Sequence, residues 1–541
     1  MRRAISETQL PRWLLAVLLV AIVLGIGFRF YNLDRKVYWN DEIYSTLRIL
    51  GHTESQIVAN AATLTDVRSL QAYLHAGGDL PRNGVGATIS SLAQEEPQHP
   101  PLYFIIAHYW VRVAGDSVEA ERFLSAIFGM LAIPAMFWLG MELFRRPAVA
   151  AIASALTAVS PVFVVYSQEI REYELWALLV IVMSALFLRA LRLMTAPSWL
   201  LYGVTATAAL YVYPFTAFAM FANLVSAIVW SRRDGRRAIV PAAASTLLPV
   251  ALFLPWAMLA IRNYAPVQRG IATMVARRLS PVGTLSAFVG TLKLAFADFD
   301  ISRPSAINAA LSIGVLCIIG FAVRELIVAR EMKALTFVSI LAAFCAAPLL
   351  LPDLLMSGAR SANPRYFFPV FACIDLATAF LLASLAARNV RWSYALVGLL
   401  ALGAYSCALS SQSDTWWSKA GENSKSVAAA IDRSPQPLIV SDNHVDYALS
   451  LSNYLRADTR FYLRPTCYVC AGAAPDTGGL AAAVAAAGPG DLYVLGVSPA
   501  MGGEIAKIAP AADARTIEIS YGKKGVLDLW SRPCGRPDEP R

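Results

Sequence analysis

Stretches of about 20 apolar residues recur through the first 410 residues of this 541-residue chain, and that is the length a helix needs to cross a bilayer's hydrocarbon core. Only 15% of the residues are charged and 57% are hydrophobic, where a soluble domain carries about 25% charged residues. The pattern predicts an α-helical polytopic membrane protein. Its formal charge of +9 comes from arginines in short clusters between apolar stretches. That placement speaks for membrane topology and against a nucleic-acid partner.

Spans are expected near 13–30, 123–144, 147–166, 173–194, 198–213, 215–231, 239–261, 304–323, 335–352, 365–387 and 392–410. Alternate connections then hold Arg145 and Arg146, Arg189 and Arg192, the "RRDGRR" of 232–237, Arg324 with Arg330 and Lys333, and Arg388 with Arg391. By the positive-inside rule these share the cytoplasmic side with the N-terminus, and eleven spans leave the C-terminus outside. The first stretch follows Arg2, Arg3 and Arg12 and shows no small-residue cleavage site, so it reads as a retained helix. "PPLYFIIAHYWVRV" (100–113) is too short to span. Leu102, Ile105, Ile106, Tyr109 and Val113 at helical spacing predict a helix lying in the interface.

Two domains follow: a transmembrane unit over 1–410, with a large first outer loop at 31–122 and another at 262–303, and an outer tail over 411–541. In the tail "PLIVSD" (437–442), "DLYVLGV" (491–497) and "GVLDLWS" (525–531) read as strands, with "HVDYALSLSNYL" and "GLAAAVAAA" as helices between them. A small α/β domain is expected, with an accessory or acceptor-binding role. Cys467 and Cys470 form a C-x-x-C without the second pair of a zinc site, and Cys534 lies near the end. A disulfide in an oxidising compartment fits better. The spacing leaves the pairing open.

Polar residues gather at the outer helix ends. "VYWNDEIYS" (37–45) sets Asp41 and Glu42 side by side. Alone, Asp41 reads as the cap of an interfacial helix over 42–50, with Ile43, Leu47 and Leu50 on the bilayer. "EEPQHPPLYF" places His99 before paired prolines; Arg122 stands at the outer mouth of the second span, where an arginine ordinarily snorkels. "YSQEIREYELW" packs Glu169, Arg171, Glu172 and Tyr173 into one outward turn, and "NPRYFFP" brings Arg365 and Tyr366 to the same side. Carboxylates and arginines over a helical bundle suit transfer from a lipid-linked phosphate. One carboxylate takes the acceptor's proton while guanidinium groups hold the leaving phosphate.

In order and spacing, "YWNDEIYS", "HPPLYFIIAHYW", "ERFLSAIFGMLAIPAMFWL", "SPVFVVYSQEIREY" and "NPRYFFPVF" resemble the family-39-like glycosyltransferases of the GT-C superfamily, over roughly residues 13–390. That superfamily includes protein O-mannosyltransferases and the aminoarabinose transferase of lipid A. The resemblance implies an inverting transfer, hexosyl or pentosyl, from a polyprenyl-phosphate sugar to an envelope lipid, glycan or protein at the outer face of a bacterial inner membrane. Asp41 would be the base, supported by Glu42, with Glu169 as the second acidic site residue. Arg122, Arg365, Arg171, His99 and Tyr366 would serve the donor phosphate. His99 stands where the lipid A branch has a lysine, a departure from a strict aminoarabinose role. No organic cofactor is implied, and a divalent metal stays open because Asp41, Glu42 and Glu169 also suit oxygen ligation. The competing class is a transporter or flippase; against it, the notable charges sit at outer helix ends and no internal repeat is evident.

Overall fold

The computed structural model describes residues 10–60, 64–75, 83–234, 236–269, 278–299, 306–416, 424–467, 469, 479–487, 491–508, 514–521 and 525–530. All eleven expected spans are helical. Eight helices among the described residues have the length and hydropathy to cross a membrane: Arg12–Phe30, Val118–Phe144, Tyr173–Leu193, Arg236–Arg262, Ala306–Val328, Met332–Met356, Phe368–Arg388 and Trp392–Ser411. Pro147–Ala158 and Pro161–Ser167 act together as a ninth, bent by 55°. Ala196–Val212 and Thr216–Asp234 are shorter or less apolar, and meet at a break around Pro214. Tyr173–Leu193 and Phe368–Arg388 form the enclosed centre, while Ala306–Val328 is peripheral and turns Ile313 and Phe321 outward.

Breaks in spans need partners for the carbonyls they free. At the 55° bend, buried Arg29 donates to the carbonyls of Thr157 (3.1 Å) and Ala158 (2.6 Å), and to its own Gly25 (2.7 Å). Gly25 is required there because a Cβ would lie 2.2 Å from the Ala158 carbonyl oxygen. At the second break, Thr216 Oγ1 donates toward the carbonyls of Ala209 (2.9 Å) and Tyr213 (2.7 Å) and accepts from Trp176 Nε1 at 3.0 Å. At both breaks, freed carbonyls are thus bonded by buried side chains.

The short amphipathic segment is the helix Leu102–Ala114. It buries Tyr103, Phe104, Ala107, His108 and Val111 and leaves Tyr109 and Val113 exposed.

The tail holds an α/β sheet of six strands in the order β1-β3-β2-β4-β6-β5: β1 Leu64–Asp66, β2 Leu438–Ser441, β3 Arg460–Leu463, β4 Leu492–Leu495, β5 Ala514–Tyr521 and β6 Gly525–Trp530. β2 pairs parallel with β3 and β4; the outer pairings are antiparallel. Three strands match the sequence expectation. β3 and β5 were not anticipated, and β1 comes from the loop over 31–122, with Thr65 opposite Phe461. The 411–541 segment is therefore not a self-contained sheet. Alternation sends Ile439, Phe461 and Tyr493 into the core shared with the transmembrane unit, and Leu438, Val440, Tyr462 and Val494 against Leu480, Met501 and Ile505. Strands covered on both faces are the usual state of parallel sheet. Cys467 is disulfide-bonded; Cys470 and Cys534 lie outside the described residues.

Candidate active site

The helix Asn40–Ile49 starts two residues earlier than the cap expectation required, with Trp39 at its N-cap and Asp41 inside its first turn. Ile43 and Leu47 are fully buried and Leu50 nearly so, which corrects the expectation that they face lipid. The helix is packed between the Leu102–Ala114 helix and the tail helix Val445–Ser452. Successive residues in its first turn point about 100° apart. Asp41 and Glu42 consequently enter different surroundings.

Glu42 is fully enclosed. Its Oε1 accepts from Arg122 Nε at 2.8 Å and from the Ile170 N–H at 3.1 Å, while Oε2 accepts from Arg122 Nη2 at 2.6 Å and the Trp39 N–H at 3.4 Å. Arg122 gives its other N–H groups to the carbonyls of Leu33 (2.6 Å), Lys36 (3.0 Å) and Val37 (3.1 Å). All five guanidinium donors are engaged. Arg122 is thus a buried clamp on the 33–42 segment, with no N–H left for a donor phosphate, and Glu42 is its counter-ion.

Asp41 keeps its side chain 21% exposed and pairs with Arg365 Nη1. Arg365 sits on a short 3-10 turn, Pro364–Tyr366, anchored by buried Phe367 and Phe368. Its guanidinium lies 5.3 Å from the centre of the Tyr173 ring and 5.4 Å from that of Tyr366. With its amide oxygen turned inward, Asn363 accepts from Arg365 Nε (3.0 Å) and Nη2 (3.2 Å). Tyr366 stacks on Tyr213 at 6.3 Å and contributes its ring to this wall. Burial works against the Arg365 charge, but Tyr173, Tyr366 and Asp41 outweigh it and hold the guanidinium's pKa well above its ordinary value.

The 169–172 turn closes the other side. Arg171 Nη1 donates to the Asp41 carbonyl (3.3 Å) and Ser45 Oγ (3.1 Å), and Nη2 approaches His99 Nε2 at 3.3 Å. His99 Nδ1 lies 2.8 Å from Glu172 Oε1. An imidazole donating from Nδ1 and accepting at Nε2 satisfies both contacts. Burial pushes the Glu172 carboxyl up, yet Arg171 and His99 beside it prevail and bring its pKa down to about 2. Glu169 is buried in the same turn, its carbonyl accepting from the Arg171 N–H at 2.8 Å.

Of the residues singled out from sequence, the fold therefore brings Asp41, Arg365, Tyr366, Arg171, His99 and Glu169 around one locus and sets Glu42 and Arg122 beneath it. Glu172, Tyr173 and Asn363 join them; the charge density of "QEIREY" flagged the first two, and no sequence signal marked Asn363. Glu95 and Glu96 instead hold Arg48, at 2.8 and 2.7 Å. Among the described residues no group of three or more His, Cys, Asp or Glu is arranged to hold a metal.

With this geometry in view, the comparisons with known proteins fall into place. The family described as dolichyl-phosphate-mannose-protein mannosyltransferase matches residues 98–258, a range holding His99, Arg122, Glu169 and Arg171. The apo structure of ArnT from Cupriavidus metallidurans superposes with a TM-score of 0.54 at 13% identity, covering 96% of this chain and 99% of that one. ArnT bound to undecaprenyl phosphate gives 0.50 at 12% identity, covering 97% and 99%. This is the GT-C fold. The resemblance drawn from the ordered motifs is borne out at that level. The oligosaccharyltransferase of Archaeoglobus fulgidus also matches, at a TM-score of 0.48 and 14% identity over 91% of this chain and 69% of its own. No curated protein sequence matches this chain.

Proposed function

We propose that the chain transfers a sugar from a polyprenyl-phosphate donor to a hydroxyl of an envelope lipid, glycan or protein, at the extracytoplasmic face of a bacterial plasma membrane. The observation that carries this reading is the division between the two neighbouring carboxylates. Glu42 is locked into a saturated clamp, whereas Asp41 stays partly exposed and is paired with an arginine backed by aromatic rings. A guanidinium that pairs with a carboxylate in the resting state pairs equally well with a phosphate. The donor's phosphate would take Arg365 from Asp41 and so raise that carboxylate's capacity to accept a proton. Arg171 adds positive charge beside it. The undecaprenyl phosphate bound by ArnT supports a donor of this class.

In the reaction the acceptor O–H gives its proton to Asp41 as its oxygen bonds to the sugar's anomeric carbon. The bond from that carbon to the phosphate oxygen breaks, and polyprenyl phosphate leaves with the electron pair, its charge held by Arg365 and Arg171. A single displacement of this kind inverts the anomeric centre. The N-terminus and the arginine-rich connections would lie in the cytoplasm, with the tail and the site outside. The test is mass spectrometry of envelope lipids and glycans from cells with the chain, without it, and with Asp41→Asn. A glycoconjugate missing from both deficient strains supports the reading. Identical envelopes in all three overturn it.

A further inference from the structure

Just before the helix that carries Asp41, Val37 and Tyr38 lie outside any helix or strand, both almost fully buried. All four backbone polar atoms of these two residues bond to the far end of the chain. The Val37 N–H donates to the Asp414 carbonyl at 2.9 Å, and the Val37 carbonyl accepts from Trp416 Nε1 at 2.9 Å. The Tyr38 N–H donates to the Tyr454 hydroxyl at 2.8 Å, and the Tyr38 carbonyl accepts from Ser450 Oγ at 2.5 Å. Buried backbone polar groups almost always find partners. Here those partners come from a segment roughly 400 positions away, where local secondary structure would normally supply them.

The surroundings act in the same direction. Two cations lie close to the Trp416 ring, Lys36 Nζ at 5.4 Å and the Arg122 guanidinium at 5.3 Å from its centre. Arg122 also grips the Val37 carbonyl, so this one peptide oxygen is held from the bundle and from the tail at once. On the helix itself, Tyr44 donates to Glu54 Oε1 at 3.0 Å, and Glu54 Oε2 accepts from the Val469 N–H at 3.0 Å, a second tie to the tail. Strand β1 adds a third.

We infer that the tail is a brace for the catalytic helix: Ser450, Tyr454 and Trp416 are positioning residues that fix the 37–39 segment and, through it, the direction in which Asp41 faces. This departs from the accessory or acceptor-binding role that the sequence assigned to the tail. It rests on the reading of Asp41 as base. The entry of a helix is set by the φ and ψ of the residues just before it. With Val37 and Tyr38 held at every polar atom and Trp39 tied to Glu42, that entry has one conformation. Loosening it would leave Asp41 chemically intact but aimed over a wider cone, and displacements of about 1 Å can cost 10²-fold in rate.

The experiment uses the full chain in lipid nanodiscs, comparing wild type with Tyr454→Phe, Trp416→Phe, Ser450→Ala and Ser450→Thr. Tyr454→Phe keeps the ring and removes only the hydroxyl, so folding is challenged little; Trp416→Phe removes the N–H but also shrinks a buried ring, so its exchange is read against the control peptide. Two readouts are taken: hydrogen exchange of the peptide covering 37–49, with the peptide covering strand β4 (Leu492–Leu495) as a control, and kcat and KM for a polyprenyl-phosphate sugar donor that the envelope comparison identifies. The expected result is faster exchange over 37–49 with the control unchanged. It is accompanied by a kcat lowered about 10- to 100-fold at constant KM, and by recovery in Ser450→Thr. Unaltered exchange over 37–49 in all three deficient variants overturns the brace, and so does faster exchange without loss of kcat. Retained transfer by Asp41→Asn would sink the base assignment instead, while the exchange result would still decide whether the tail holds the helix.

Discussion

Asp41 and Glu42 are consecutive acids on one helical turn, and each meets an arginine brought from elsewhere in the chain, yet the two pairs do opposite work. Glu42 and Arg122 have side chains 0% exposed, whereas Asp41 and Arg365 are 21% and 11% exposed. The first pair is surrounded by backbone donors and carbonyls that saturate it, so any rearrangement would strand a buried charge. The second is backed by aromatic rings and still reached by solvent, so its partner can be exchanged. A carboxylate and a guanidinium thus give a sealed rivet in one place and an exchangeable pair in the other, and burial decides which is which.

The largest expected effect breaks that contrast on the reactive side. Asp41→Asn should reduce transfer by about 10²–10⁴-fold, the usual contribution of a general base, with thermal stability in detergent unchanged. On the structural side, Arg122→Ala should destabilise the fold by about 3–5 kcal/mol, the cost of orphaning a buried ion-pair partner. A drop in melting temperature and in yield would show it, with any activity loss following the loss of folded protein. Arg365→Ala should raise the donor KM more than it lowers kcat, and Arg365→Lys should recover part of the loss, since lysine keeps the charge but not the planar fork.

Smaller effects lie in pH dependence. Glu172 has its pKa depressed from 4.5 to about 2, so its contribution to stability is complete above pH 4.5 and fades as pH falls from there toward 2. Glu172→Gln should flatten the acid limb of the melting-temperature profile over that window. Asp446 behaves inversely. Burial, then Glu54 and Asp41, raise its carboxyl from 3.8 to about 7, so stability declines as pH rises from 3.8 through 7. Asp446→Asn should therefore stabilise the protein above pH 7 and remove that slope.

How much of this was legible beforehand follows from the range over which each feature is encoded. Spans are written in local runs of apolar residues, and all eleven segments are helical. The kinks at Ser160 and Pro214 carry proline signals, but nothing local shows that Arg29 closes one and Thr216 the other. Strands β2, β4 and β6 stand out as apolar runs. β1 is three residues long in a mixed loop, and its pairing with β3 is set across nearly 400 positions. At the candidate site, the residue types of Asp41, Arg365, Arg171 and His99 were informative because charges clustered at the ends of apolar helices are costly unless partnered. The roles of Glu42 and Arg122 were not legible. An arginine near a span end commonly snorkels toward water, and only the convergence of the Leu33, Lys36 and Val37 carbonyls turns this one inward.

The most direct measurement sets Asp41→Asn beside Glu42→Gln in one assay, with transfer per molecule of folded protein as the readout. The account predicts that Asp41→Asn is fully folded and nearly inactive, while Glu42→Gln is less stable but turns over in its folded fraction. A folded Asp41→Asn protein with wild-type turnover, or a stable Glu42→Gln protein without any, would contradict it.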